Sequence, residues 1–371
     1  MVDLNGQYNK ISHEIDSAIR NVIRSSAFIN GPEVKTFEKN LSAYLSAKSV
    51  IACGNGTDAL QAALMAFELK PGDEVITTPF TFVSTAETIA LLGLKPVLVD
   101  VDPQTFNICP DKIENAITSK TRAILPVHLY GQCCNMDKII DLARQFKLGI
   151  IEDSAQSLGT CYTFSSGLKK MAGTIGHIGC TSFFPTKNLG CFGDGGALIT
   201  NNSDLAEKIR MIVNHGMKVK YRQEIIGINS RLDSIQAAIL SIKLKYLDSY
   251  NEARQKAAEF YDKAFRENPG IVIPFRHAQS SHIFHQYTIK TKNGVDRDKM
   301  KQFLASGQVP SMIYYPVPVH LQKAYRYLGY REGDFPVTEE LSKSVISLPM
   351  HTELSDPQLG YVAEQVNQYT K

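Results

Sequence analysis

The stretch Cys180-Thr-Ser-Phe-Phe-Pro-Thr-Lys-Asn-Leu-Gly-Cys-Phe-Gly-Asp-Gly-Gly-Ala197 decides how this chain is read. It sets one lysine, Lys187, between a Pro-Thr pair and a run of glycines, with a hydroxyl, Ser182, five positions earlier. Pro185 disfavours helix at the residue before it. Gly190, Gly193, Gly195 and Gly196 permit the backbone angles of tight turns. The lysine is therefore expected on a loop, with Ala197-Leu-Ile-Thr200 as a short strand after it. Phe183, Phe184, Leu189 and Phe192 are expected to surround the amine. Partial burial lowers an ammonium pKa and frees the amine as a nucleophile toward carbonyls. A solvated loop lysine fits this stretch equally well, so the rest of the chain has to decide.

Upstream, helical patterns alternate with short apolar runs. Apolar residues recur at helical spacing in 11–23 and 34–45, and again in 59–69, 85–92, 110–117 and 136–146. Between them, 49–52, 74–77, 96–101, 122–127 and 149–152 read as strands. This alternation implies βαβ units and a mostly parallel sheet, an α/β class. The segment 162–179, rich in Gly, Ser and Lys, reads as a hairpin or excursion. Downstream, 204–214 and 234–247 read as helices. A boundary is expected near residue 245, giving a large α/β domain (1–245) and a smaller C-terminal α+β domain (246–371). The smaller domain is expected to hold a helix at 253–265, strands near 271, 283–290 and 312, and a closing helix after 356.

Three more stretches end strands where ligands bind in open parallel sheets. Gly54-Asn-Gly-Thr-Asp58 joins a strand to a helix, whose N-terminal N–H groups suit a phosphate; Asp58 would then have to point away. Glu152-Asp153-Ser-Ala-Gln156 offers two adjacent acids that cannot share a face, and Asp153 is expected to be the inward one, able to hold a cationic ring nitrogen. Thr77-Thr-Pro-Phe-Thr-Phe-Val-Ser84 offers an aromatic that could stack on a flat ring. Helix capping and ordinary core packing are the plain alternatives for each. His282 and His285 fall in an expected strand, where residues three apart face opposite sides, and the histidines give no metal site.

The chain has 371 residues, 43% hydrophobic and 21% charged, with a net charge of +3 and no dense basic patch, so nucleic acid is a poor partner. Seven cysteines without a C-x-x-C motif suit free thiols in a reducing compartment. The N-terminal residues do not read as a signal peptide, and no apolar run is long enough to span a bilayer. A cytoplasmic protein without membrane contact is expected.

Taken together, the motifs resemble those of the DegT/StrS-type sugar-nucleotide aminotransferases, of the fold type I class of pyridoxal phosphate enzymes. The runs that carry the resemblance are Gly54–Leu60, Thr81–Glu87, Ile151–Gly159, Ser182–Gly190, Asn229–Asp233 and Ser347–His351, in the family's order. The resemblance implies that Lys187 carries the cofactor and moves the proton, that Asp153 pairs with the pyridine nitrogen and that Gln156 lies near the ring hydroxyl. It implies phosphate ligands in Gly56, Thr57 and Ser182, and an aromatic, Phe82, over the ring face. Asn229 would reach the phosphate from a neighbouring subunit, so a homodimer is implied, and Arg231 could meet a substrate carboxylate. Tyr314, Tyr315 and His320 are further candidates for substrate contact; many relatives have histidine where Tyr314 stands. The implied partners are a nucleotide sugar and L-glutamate. The motif wording is most like that of enzymes aminating 3-keto sugars, such as UDP-2-acetamido-3-keto-glucuronate, for surface polysaccharide. A 4-keto-6-deoxy sugar aminotransferase and a non-catalytic regulator binding PLP or a sugar nucleotide are the alternatives. A sugar dehydratase of the same fold would have histidine in place of Lys187.

Overall fold

The alternating pattern resolves into fourteen strands and the helices between them, in a computed structural model that describes residues 1–370. The first five strands are β1 (Ser49–Cys53), β2 (Glu74–Thr77), β3 (Lys95–Leu98), β4 (Thr121–Ile124) and β5 (Gly149–Asp153). β6 (Cys161–Thr163) and β7 (Lys169–Met171) form an antiparallel hairpin, which is the excursion expected from the Gly- and Ser-rich segment. β8 (Ile178–Ser182) and β9 (Gly196–Thr200) flank the lysine loop. β10 (Met217–Val219) and β11 (Arg222–Gln223) make a second small ribbon that the sequence pattern did not predict.

Seven strands build the main sheet in the order β1-β9-β8-β5-β4-β2-β3. The pairs β2–β3, β2–β4, β4–β5 and β5–β8 are parallel, and β9 runs antiparallel to both its neighbours. Central strands such as β5 and β8 are buried almost throughout, as expected of strands covered on both faces. The helix Gly56–Ala66 packs on the sheet through Ala59, Ala62, Ala63 and Ala66, small residues that let its backbone approach β1, β5 and β8. Asn55 caps this helix by accepting the Asp58 N–H at 2.8 Å. Asn202 and Asn135 cap the helices Ser203–Ile212 and Met136–Phe146 in the same way.

The expected helix 234–247 is broken: Ser234–Leu244 ends and Leu247–Phe265 begins across Lys245 and Tyr246. We divide the chain there. Beyond that point β12 (Ile271–Val272), β13 (Tyr287–Thr291) and β14 (Val345–Leu348) form an antiparallel sheet covered by the helices Leu247–Phe265, Arg297–Ser306 and Asp356–Thr370. Its core of Tyr261, Phe265, Tyr287, Ile289, Ile346 and Val366 is separate from that of the main sheet. The strand expected at 283–290 begins only at Tyr287. Residues 281–286 are irregular, with Phe284 in the left-handed region at φ 47°, so His282 and His285 are not strand neighbours. The strand expected near Met312 is a single bridge to Ser347.

Candidate active site

The ends of β1, β2, β5 and β8 meet the lysine loop around a cavity of about 430 Å³. Its wall includes Gly56, Thr57, Phe82, Asp153, Gln156, Ser182, Lys187, Tyr314 and Tyr315. Residues from distant motifs thus converge on one space, at the carboxyl ends of the parallel strands.

Lys187 sits on the loop between β8 and β9, its N–H bonded to the Phe184 carbonyl at 2.8 Å. Phe183 and Leu189 are buried behind it, whereas Phe184 and Phe192, expected to enclose the amine, are 50% and 41% exposed. The glycines allow the loop to turn tightly: a Cβ on Gly190 would lie 2.4 Å from the Pro185 carbonyl oxygen. Burial pushes the Lys187 ammonium down to about 8, with Asp153 partly opposing the shift.

Asp153 ends β5 and faces the cavity. Its carboxylate accepts from the Thr85 hydroxyl at 2.9 Å and from the Ala155 N–H at 3.1 Å. Burial raises its pKa, against these bonds and the nearby Lys187. A buried carboxylate in this condition gains from a cation placed beside it. Its neighbour Glu152 points to the other side of the strand. There it accepts the N–H groups of Gly173, Ile175 and Gly176 at 2.9, 2.7 and 2.6 Å and lies 2.8 Å from His128 Nε2.

The glycine turn after β1 supplies the N-terminus of the helix Gly56–Ala66, and Ser182 closes over it. A Cβ on Gly56 would lie 2.7 Å from the Ser182 Cβ, so this approach needs glycine. Thr57 and Ser84 share a hydroxyl–hydroxyl bond of 2.8 Å at the same end. The Asp58 carboxylate turns back toward Gly54 and does not line the cavity. A nest of N–H groups and hydroxyls suits an oxyanion such as phosphate.

Gln156 is held at both ends, accepting the Tyr130 N–H at 2.8 Å and donating to the Tyr315 hydroxyl at 3.1 Å. Phe82 is 57% exposed and leans over the cavity near Tyr315, their ring centres 6.3 Å apart.

Three sequence candidates are not brought together with these. His320 is fully buried elsewhere, its Nε2 3.0 Å from Glu339 Oε1 and its ring against Phe335, so it does not line the cavity. Glu339 also accepts the Gly333 N–H, which fixes that pair in the fold of 333–339. Asn229 is exposed and Arg231 half-buried, and neither lines the cavity formed by its own chain. Conversely, Thr85, Asn55, Asp194, His285 and Gln286 line it without having been singled out as site residues by the sequence. Thr85 lies inside the Thr81–Glu87 run already quoted from the sequence, whereas His285 arrives through an irregular segment that carries no sequence signal.

The model of the DegT/DnrJ/EryC1/StrS aminotransferase family matches residues 9–367. The chain is 47% identical over its whole length to a pleiotropic regulatory protein of Geobacillus stearothermophilus, covering 98% of that protein. It is 43% identical, over 95% of each chain, to the UDP-2-acetamido-2-deoxy-3-oxo-D-glucuronate aminotransferase of Pseudomonas aeruginosa. Among solved structures, NtdA from Bacillus subtilis with bound cofactor PMP superposes with a TM-score of 0.88 at 34% identity, covering 98% of this chain and 82% of that one. The chain belongs to the DegT/DnrJ/EryC1/StrS aminotransferase family.

Proposed function

We propose that this chain is a pyridoxal phosphate-dependent aminotransferase that moves the amino group of L-glutamate to the keto group of a 3-oxo nucleotide sugar. The observation that carries the reading is the convergence of Lys187, Asp153 and the Gly56–Ser182 cradle on one cavity. These residues fit the cofactor: a cradle of N–H groups and hydroxyls for its phosphate, an amine for its aldehyde and a buried acid for its ring nitrogen. Pyridoxal phosphate, when bound, supplies the electron sink that lets nitrogen pass between donor and acceptor.

The chain's own residues supply the rest. Gly56, Thr57 and Ser182 bind the phosphate, and Phe82 covers one ring face. Asp153 keeps the ring nitrogen protonated, since a buried carboxylate favours a bound cation. Gln156, braced by Tyr130 and Tyr315, fixes the ring's orientation. Lys187, with its ammonium lowered to about 8, has a share of neutral amine near neutral pH and can take and return a proton at the reacting carbon. Tyr314 and Tyr315 line the substrate side.

Asn229 and Arg231, which miss the cavity of their own chain, would serve the site of a second copy. Half-exposed Phe28 and Ile29, the latter bridged to Asp233, support a homodimer on this face. Arg231 would then pair with a uronate carboxylate through two parallel bonds. The sugar assignment follows the P. aeruginosa relative's activity.

A second reading is favoured by the G. stearothermophilus relative, whose name describes a regulator. Colour separates the two. Protein loaded with pyridoxal phosphate should be yellow and should bleach with L-glutamate; a protein that stays yellow with every amino donor favours the regulator. A panel of 3-keto and 4-keto nucleotide sugars then tests the substrate, and turnover of a 4-keto sugar alone would reject the 3-oxo assignment.

A further inference from the structure

The cavity wall holds a buried histidine that the mechanism above leaves idle. His285 is 6% exposed and stands beside Lys187. Its ring state follows from its neighbours. Asn188 Nδ2 donates to Asn251 Oδ1 at 2.7 Å and to the Ile283 carbonyl at 3.3 Å. Asn251 Nδ2 donates in turn to the Leu158 carbonyl at 3.4 Å, which fixes both amides. The Asn188 oxygen is thereby turned to His285, 3.3 Å from Nδ1. An amide oxygen only accepts, so Nδ1 carries the proton. Burial and the nearby cations of Lys187 and Arg254 hold the ring well below its ordinary pKa, so it is neutral. A neutral ring protonated at Nδ1 has a lone pair at Nε2, on the side away from Asn188. The contact there is Gln286 Nε2 at 3.5 Å, the limit of a hydrogen bond, and Gln286 lines the same cavity.

An unprotonated ring nitrogen on a residue of the cavity wall selects for donors. A keto oxygen or a carboxylate offers only lone pairs and is refused, whereas a sugar hydroxyl can donate. Resting on the aminotransferase reading, we propose that His285 is a specificity-determining residue. Its Nε2 accepts a hydrogen bond from the sugar hydroxyl next to the keto carbon, the 4-hydroxyl of a 3-oxo sugar.

Two measurements test this on the PLP-loaded protein. Imidazole 15N NMR, with His285→Gln used for assignment, should show His285 neutral and protonated at Nδ1 from pH 8 to pH 6. An imidazolium at pH 7, or a proton on Nε2, overturns the proposal. The second measurement pairs substrate and variant: UDP-2-acetamido-2-deoxy-3-oxo-D-glucuronate and its 4-deoxy analogue, with wild type and His285→Phe. Each single change should lower kcat/KM about tenfold, mostly through KM, with little further loss when both are made. His285→Gln, which keeps an acceptor oxygen, should recover part of the loss. Penalties that multiply in the double change overturn the proposal. The NMR result reads the ring whatever the substrate is, so its failure is distinguishable from failure of the aminotransferase reading.

Discussion

The Thr85 hydroxyl donates to Asp153 Oδ2 at 2.9 Å while the Ala155 N–H donates to Oδ1 at 3.1 Å, so the two bonds together fix the carboxylate's orientation at the cavity. Thr85 is itself steadied by Thr81, 3.1 Å away, so the two hydroxyls and the carboxylate form a short buried relay. Thr85→Val keeps the shape and removes the bond. Turnover should fall about tenfold while the unfolding midpoint changes little, because one neutral-to-charged hydrogen bond is lost from a group that retains the Ala155 N–H. Asp153→Asn should retain the lysine-bound cofactor yet lose turnover by on the order of a hundredfold or more. Steady-state kinetics with cofactor absorbance checks both, and full turnover by Asp153→Asn would remove the acid from its assigned role.

Glu152 and Asp153 are adjacent and should fail in opposite ways. Glu152 satisfies three backbone N–H groups and contacts His128, all buried. Glu152→Ala strands those donors, so the protein should lose roughly 3 kcal/mol or more of stability. Asp153→Ala leaves a cavity-facing gap and should cost the fold far less. Urea unfolding of the two variants side by side checks this. Equal destabilisation would mean that the strand parity at β5 is misassigned.

That contrast also shows how far the sequence could be read. Alternation along a strand forces neighbouring acids to opposite faces, so one inward acid was legible from Glu152-Asp153 alone. The Pro185 and glycine signals likewise made the Lys187 loop legible, since they act on the local backbone. His285 was not legible: it reaches the cavity because residues 281–286 fold irregularly against Asn188, nearly a hundred positions away. His320 failed for the reverse reason. Its isolated position gave no hint of Glu339, which ties it into the fold away from the cavity. The Asn188–His285 contact depends on how residues 281–286 pack against the lysine loop, and the His320–Glu339 pair on how 333–339 folds back, and no local pattern encodes either.

Lys187 should be the one point of covalent attachment for the cofactor. Borohydride reduction of the loaded wild type should add mass to the peptide containing Lys187, and Lys187→Ala should show no adduct and no turnover. Cofactor should still bind that variant without a covalent bond, through the Gly56–Ser182 cradle and Asp153. In the cofactor-free protein, competitive acylation should find the Lys187 amine titrating near 8. An adduct on another side chain would overturn the site.

A second lysine gives a test by pH. Lys243 is 2% exposed, donates to the Gly190 carbonyl at 2.6 Å and lies 5.4 Å from the centre of the Phe192 ring, so it props the lysine loop from behind. Burial pushes its ammonium down to about 8, with Cys191 partly opposing. The unfolded chain, where a lysine titrates near 10.4, therefore holds the extra proton between the two values. Stability from this group rises with pH across that window and is flat below about 8, where both states are protonated. The rise is on the order of 3 kcal/mol at most, because each pKa unit is worth about 1.4 kcal/mol. Lys243→Met removes the titration, so the difference in unfolding free energy between wild type and variant should move in favour of wild type from pH 8 to pH 10. Comparing the two proteins cancels the tyrosines and cysteines that titrate in the same range. A difference that stays constant over this interval would show that Lys243 is not buried in its charged form. The Gly190 carbonyl loses its donor in the variant, so turnover should also fall several-fold as the loop carrying Lys187 loosens.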